Sequence, residues 1–172
     1  IDSLVTYRNI KPKVRNINDY AIYDNDGIQT ATIKNNGTIG RYAFYDCDGM
    51  LTATIENDGA IGEYAFYDCD GMQTATIKNN GTIGKYAFYG CDGMQTAVLG
   101  NSVKAIGSYA FEACASLEEI VIPDNVPSIG SYCFTNCTSL KRALVGSGVK
   151  ILNTKTFSGC SALNEVQVGE NV

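Results

Sequence analysis

The chain has 172 residues, 45% of them hydrophobic, with a formal net charge of -5, no histidine and no tryptophan. That is enough apolar material for one domain with a sizeable core, and too much for a disordered chain. The acidic balance argues against a nucleic-acid partner, and the lack of histidine removes the commonest general base and the commonest zinc ligand.

At the start, Arg8, Lys11, Lys13 and Arg15 form the one basic cluster, which reads as a solvated edge. The chain opens without Met and without a signal peptide, so it reads as a processed chain or an excised piece. No apolar run approaches the ~18 to 20 residues of a membrane span, so direct membrane insertion is not expected. Its 7 cysteines form no Cys-x-x-Cys pair; Cys133 and Cys137, four apart, are a weak signal.

From residue 17 onward the chain is a tandem repeat. Ile17, Ile22, Asn25 and Ile28 form a degenerate first copy, and "IKPKVRNI" before it mirrors "IPDNVPSI" later. Phe44, Phe66, Phe88, Phe111, Phe134 and Phe157 then recur at intervals of 22 residues, lengthening to 23 after Phe88. Cys47, Cys69, Cys91, Cys114, Cys137 and Cys160 each follow a phenylalanine by three. Met50, Met72, Met94, Leu117, Leu140 and Leu163 follow by six. Ile39, Ile61, Ile83, Ile106, Ile129 and Leu152 precede by five. Both ends stop mid-repeat, so residues 1–172 read as one solenoid domain of about seven repeats, open at each end.

Within a unit, Thr74-Ala75-Thr76-Ile77 alternates polar and apolar, a strand signal. Its later counterpart is Glu119-Ile120-Val121-Ile122. The predicted inward rows are Ala31, Ala53, Ala75, Ala97, Ile120, Ala143 and Val166, and, two positions on, Ile33, Ile55, Ile77, Leu99, Ile122, Val145 and Val168. A turn follows, "KNNG" or "PDN", then a short extended piece such as "VKAIG". Last comes "SYAFEACASL" (residues 108 to 117), whose i, i+3, i+6 spacing of Phe111, Cys114 and Leu117 predicts a 3₁₀ or single helical turn. Strands of successive coils are expected to pair in parallel.

The pattern Ile-Gly-x-x-Ala-Phe-x-x-Cys-x-x-Leu-x-x-Ile-x-Ile-Pro, best seen in residues 106 to 140, resembles the BspA-like, or treponemal-type, leucine-rich repeat. The resemblance implies a leucine-rich-repeat right-handed solenoid, mostly β, with a parallel sheet on one face and short strands and 3₁₀ or helical turns on the other. It also implies extracellular or cell-surface display and adhesion to host proteins or other cells. Residues 17 to 98 depart from it by carrying Asp-Gly-Met where the family has Ser-Leu or Thr-Leu. The last full copy, "LNTKTFSGC", lacks the glycine and alanine.

Several repeated columns carry chemistry worth weighing. The cysteines, one per coil between Phe and Leu, read as a buried ladder of unpaired thiols. Asp26, Asp48, Asp70 and Asp92 each precede Gly, with Asp24, Asp46 and Asp68 beside them. Calcium between rungs would relieve their repulsion, yet the motif lacks the third acidic position and the distal Glu of an EF-hand loop, and Asp-Gly is an ordinary turn pair. No metal and no cofactor is therefore expected.

Two columns face outward from the strands. The first is Thr30, Thr52, Thr74, Thr96, Glu119, Arg142 and Glu165; the second is Thr32, Thr54, Thr76, Val98, Val121, Leu144 and Gln167. The Thr-x-Thr rungs are similar to ice-binding arrays, but only three are complete. This face, hydroxyl-rich at one end and with an apolar stripe beside charges at the other, is the leading candidate for a partner. The alternative is a solvated sheet face.

Tyr20, Tyr42, Tyr64, Tyr86, Tyr109 and Tyr132 form one aromatic column, and Tyr23, Tyr45, Tyr67 and Tyr89 another. They read as ring-on-ring packing, or as a binding surface. Arg41, Glu63 and Lys85, like Lys34, Glu56 and Lys78, alternate in sign along the stack and are expected to pair. Asn35, Asn57, Asn79 and Asn101 form a turn column. No nucleophile–base pair or phosphate loop stands out, so no enzyme is expected. The reading is a surface-displayed module that binds a protein or cell-surface ligand, the alternatives being a structural spacer stalk or a polysaccharide-binding surface.

Overall fold

The computed structural model describes residues 16–34 and 36–172. The basic cluster of residues 8–15 and Asn35 lie outside the described residues. Among the described residues nine strands occur in chain order: β1 (Thr30–Ile33), β2 (Thr52–Ile55), β3 (Thr74–Ile77), β4 (Thr82–Ile83), β5 (Thr96–Leu99), β6 (Ala105–Ile106), β7 (Glu119–Ile122), β8 (Arg142–Val145) and β9 (Glu165–Val168). They make a parallel β-solenoid. Seven strands form one sheet in the order β1-β2-β3-β5-β7-β8-β9, while β4 and β6 pair on a second face. Single bridges extend that second face, joining Ile17 to Ile39, Ile39 to Ile61, Ile61 to Ile83 and Ile106 to Ile129.

Register follows the repeat. Ala31, Ala53, Ala75 and Ala97 are successive partners, as are Ile33, Ile55, Ile77 and Leu99. Both rows point inward, where they meet buried phenylalanines, cysteines and the Met or Leu row. At β9, the last strand of the described sheet, Val166 and Val168 remain exposed. The phenylalanine rings stack with centroids 4.8 to 5.5 Å apart from Phe44 through Phe157. Each buried core phenylalanine contributes about 1.5–3 kcal/mol by leaving water.

The flank predicted to be helical is not helical: among the described residues there is no α- or 3₁₀-helix. It is a chain of turns. Bonds such as Ala65 N–H to the Gly62 carbonyl and Tyr67 N–H to the Tyr64 carbonyl do span three residues. A left-handed residue at each end of the segment stops them from propagating. Tyr20, Tyr42, Tyr64, Tyr86, Tyr109 and Tyr132 all have φ between 55° and 62°. The intervening N–H groups go instead to the next coil: Tyr64 to Lys85, Phe66 to Ala87 and Asp68 to Tyr89, at 2.7 to 3.1 Å. Every coil repeats this, and all these bonds run the same way, from N–H on one coil to C=O on the following one.

The Asn column also changes partway. Asn57 and Asn79 are buried, and Asn57 Nδ2 donates to the Gly37 and Gly59 carbonyls at 3.0 and 2.9 Å. Their Oδ1 atoms lack a partner. Asn101 is exposed instead, because the longer coils turn a valine into that corner: Val103, Val126 and Val149 are all buried.

All 7 cysteines are buried and free. Six form the expected ladder, and each Sγ–H donates to a carbonyl of the preceding coil, as Cys69 does to Phe44 at 3.0 Å and Cys114 to Phe88 at 3.2 Å. The seventh, Cys133, fills the slot that Ala110 holds one coil earlier. Burial pushes the Cys91, Cys114 and Cys133 thiols up. These three thiols are therefore expected to resist thiol reagents in the native chain at neutral pH. Titration of the unfolded, unreduced chain should then find all 7 thiols.

Candidate functional site

The parallel register sets the outward columns on one face. Thr30, Thr52, Thr74, Thr96, Glu119, Arg142 and Glu165 are successive neighbours across the strands. Thr32, Thr54, Thr76 and Val98 form the second column up to β5, and Val121, Leu144 and Gln167 continue it from β7. Thr52 Oγ1 lies 3.4 Å from Thr30 Oγ1, a weak hydroxyl contact between rungs. Val98 and Val121 are 44% and 48% exposed, while Leu144 is half-buried. Beside them, Arg142 donates to Glu119 Oε2 at 2.6 Å, and Lys141 lies 3.0 Å from Glu118. Gln167 Nε2 donates to Glu165 Oε1 at 2.7 Å. The result is a neutral hydroxyl field that passes into two exposed valines rimmed by paired charges.

The other charge rows pair only in part. Lys34 meets Glu56 at 3.0 Å and Arg41 meets Glu63 at 3.2 Å. Lys85 sits over the Tyr86 and Tyr109 rings, at 5.0 and 5.5 Å from their centroids. In the first tyrosine column successive rings stack at 4.7 to 4.9 Å, and in the second at 4.8 to 5.0 Å. Each internal ring therefore spends both faces on its neighbours, leaving mainly edges for solvent.

The aspartates are turn residues of two kinds. Asp24, Asp46 and Asp68 adopt φ of 50° to 55°, in a slot held later by Gly90, Ala113, Asn136 and Gly159, all with positive φ. Asp26 and Asp48 accept the N–H of Asp48 and Asp70 at 3.2 Å. The Asp-Gly pairs form the expected turns, closed by the Met50, Met72 and Met94 N–H groups on the Cys47, Cys69 and Cys91 carbonyls at 3.0 Å; glycine also gives clearance, because a β-carbon on Gly71 would run into the Asp48 carbonyl oxygen. Among the described residues, no three His, Cys, Asp or Glu side chains gather as a metal site. Burial and then the charge of Asp70 push the Asp68 carboxyl up to about 6.

One feature of the face escapes the repeat pattern. Between β5 and β7 the register consists of Thr96–Glu119 alone, whereas the other pairs in this sheet align four residues. Beyond it lies a cleft of about 650 Å³, lined by residues including Gln95, Val98, Leu99, Glu118 and Val121. After β2, β3, β5, β8 and β9, the N–H of Glu56, Lys78, Gly100, Gly146 or Gly169 donates to the end of the preceding strand of this sheet at 2.8 to 2.9 Å. The matching residue after β7 is Pro123, which has no N–H to give. Pro123 is visible in the sequence; its missing bond shows only once its neighbour coil is in place.

Residues 3–82 and 59–172 match the family model described as the BspA type leucine rich repeat region, in 6 copies. A leucine-rich repeat protein from Bacteroides ovatus is similar in structure, with a TM-score of 0.81 and 31% identity over 86% of this chain and 39% of that one. A leucine rich cell surface protein from Faecalibacterium prausnitzii has a TM-score of 0.65 and 21% identity, over 92% of this chain and 52% of its own. The leucine rich repeat protein of T. pallidum has a TM-score of 0.53 and 24% identity, over 70% and 71%. The chain thus spans about half or less of the first two. Among curated proteins none matches it.

The aspartate column makes stability pH-dependent. A carboxyl whose folded pKa lies above its unfolded value stabilises the fold when protonated, and that contribution is lost as pH rises through about 6. Asp68→Asn keeps a side chain suited to the left-handed slot, as Asn136 shows. Thermal melts are expected to show the native chain losing stability between about pH 4 and about pH 7. Asp68→Asn should have a flatter profile and a higher Tm at neutral pH.

Proposed function

The chain belongs to the BspA-type leucine-rich repeat family, and on that premise we propose that it is a surface-displayed, non-catalytic module that binds a protein or another cell surface through the exposed face of its seven-stranded sheet. The observation that carries this reading is the placement of Val98, Val121 and Leu144 on that face beside the Glu119–Arg142 pair. An apolar stripe with a polar, charged rim is the composition of a protein interface. The threonine field continues the same face without charge, so a partner can extend along it at little desolvation cost.

Surface display is supported by the family and by the Faecalibacterium protein, which is described as a cell surface protein. A polysaccharide reading through the tyrosines gains nothing from their geometry, because sugars stack on ring faces and these faces are taken up by neighbouring rings. A spacer stalk would need no binding face at all.

The test is a binding panel of extracellular-matrix proteins and intact host or bacterial cells, applied to the chain and to Leu144→Asp. Binding in the micromolar range or tighter is expected, with a loss of about tenfold or more in the variant. A chain that binds no member of the panel at micromolar concentration would turn the reading to the spacer. Binding that Leu144→Asp leaves unchanged would move the interface off this face.

A further inference from the structure

We propose that the tyrosine column Tyr23, Tyr45, Tyr67 and Tyr89 is a site of oxidative cross-linking, where a one-electron oxidant of the peroxidase class joins rings of neighbouring coils by a carbon–carbon bond. Such a link is separate from whatever the sheet face binds.

Recurrence alone points to no ligand in a stacked fold. It does fix the distance between like groups, and the coupling of two phenols depends on that distance. In this column successive ring centroids lie 4.8 to 5.0 Å apart, with planes within 7° of parallel. The N–H groups of Asp24, Asp46 and Asp68 donate to the carbonyls of Tyr45, Tyr67 and Tyr89 at 2.8 Å, which pins each of these tyrosines to the coil before it. Like atoms of two rings therefore face one another across one coil spacing. The two rings within a coil are set otherwise: Tyr42–Tyr45 and Tyr64–Tyr67 are tilted by 53° and 48°, at 5.7 and 5.6 Å. Tyr23 is 45% exposed, and Tyr45, Tyr67 and Tyr89 are half-buried. Among the described residues no protein group hydrogen-bonds a tyrosine hydroxyl, so the phenolic proton is open to solvent.

Electrostatics select this column over the other. Oxidation leaves positive charge on a ring, which anions favour and cations oppose. Arg41 lies over Tyr42, Lys85 over Tyr86 and Tyr109, and Lys155 over Tyr132. Every neighbouring pair of the first column thus includes a ring under a cation. Among the described residues no cation lies over a ring of the second column. Burial and then the Asp68 charge push the Tyr45 phenol up, and push Tyr67 up to about 12. Burial and then Glu112 push Tyr89 up as well. These rings stay neutral phenols with carboxylates beside them.

The step balances with hydrogen peroxide as the terminal oxidant. Each phenol gives one electron to the ferryl haem of a peroxidase and its hydroxyl proton to water. The two neutral radicals then form a bond between ring carbons ortho to oxygen, and the hydrogen on each of those carbons moves to its oxygen. Two tyrosines and one hydrogen peroxide become one dityrosine and two waters. The link closes a loop across one 22-residue repeat and restricts the unfolded chain.

The test treats the dilute full chain with a haem peroxidase and hydrogen peroxide, isolates the monomer, and reads dityrosine by fluorescence and by mass. Cleavage after Lys, Arg and Glu parts the tyrosines of each described coil from those of the next, so a link joins two peptides. Monomer lighter by two hydrogens is expected, linked chiefly at Tyr45–Tyr67 or Tyr67–Tyr89. Tyr67→Phe keeps the ring and should lose both links, while Tyr64→Phe, in the other column, should keep them. Asp68→Asn should lower the share of links that fall in the second column. Unmodified monomer, linkage only between molecules, links chiefly within the first column, or a native yield from Tyr67→Phe would overturn the proposal. If a variant fails to fold, the map of links in the native chain decides.

Discussion

Everything in this molecule follows from one requirement: each coil must satisfy the backbone of the next. Parallel pairing at about 4.8 Å leaves no freedom for one coil to trace a different path from its neighbour. A residue type that suits a slot once therefore suits it in every coil. That is why phenylalanine stacks on phenylalanine, thiol follows thiol and tyrosine covers tyrosine. It is also why repeated chemistry here is weak evidence for a site. The informative positions are those where the repetition fails.

The sequence made the framework readable because burial is periodic. The inward alanine and isoleucine rows, the phenylalanine stack and the cysteine ladder could be aligned by counting, and all but Val166, Val168 and the partly buried Phe157 are buried as aligned. What counting could not supply was backbone conformation. The spacing of Phe111, Cys114 and Leu117 fits a helical turn, yet Tyr109 and Ala113 are left-handed and bracket the segment. Glycine usually announces such a position, but here tyrosine holds it. A left-handed backbone costs roughly 1–2 kcal/mol for an ordinary residue. Ring stacking and the bond to the next coil offset that cost. The Asp-Gly turn was legible and is present, but the sequence did not reveal that its glycine also clears a neighbouring carbonyl, nor that the left-handed residue lies earlier, at Asp46 or Asp68.

The change from 22 to 23 residues marks the other boundary of legibility. It is plain in the sequence after Phe88, but its effects are three-dimensional. It replaces a buried Asn corner with valines and coincides with the seam where the main sheet parts. Val98 and Val121 were placed in one outward column by counting. They do flank one another in space, but across a gap and not across a ladder rung. The outward face thus belongs to one sheet with a joint in it, where the register narrows to Thr96–Glu119.

The turn flank has a property that the sheet lacks. Strand bonds run in both directions between coils, as Ile61 to Thr82 and Gly62 to Ile39 illustrate, so their moments largely cancel. On the flank, Tyr64, Phe66 and Asp68 and their counterparts all point N–H toward the following coil. Their peptide moments add, coil by coil, as they do along a helix. The solenoid is consequently an electrical rod with a sense. The backbone of its leading coils is the negative pole and that of its trailing coils the positive one, and every added repeat lengthens this backbone dipole.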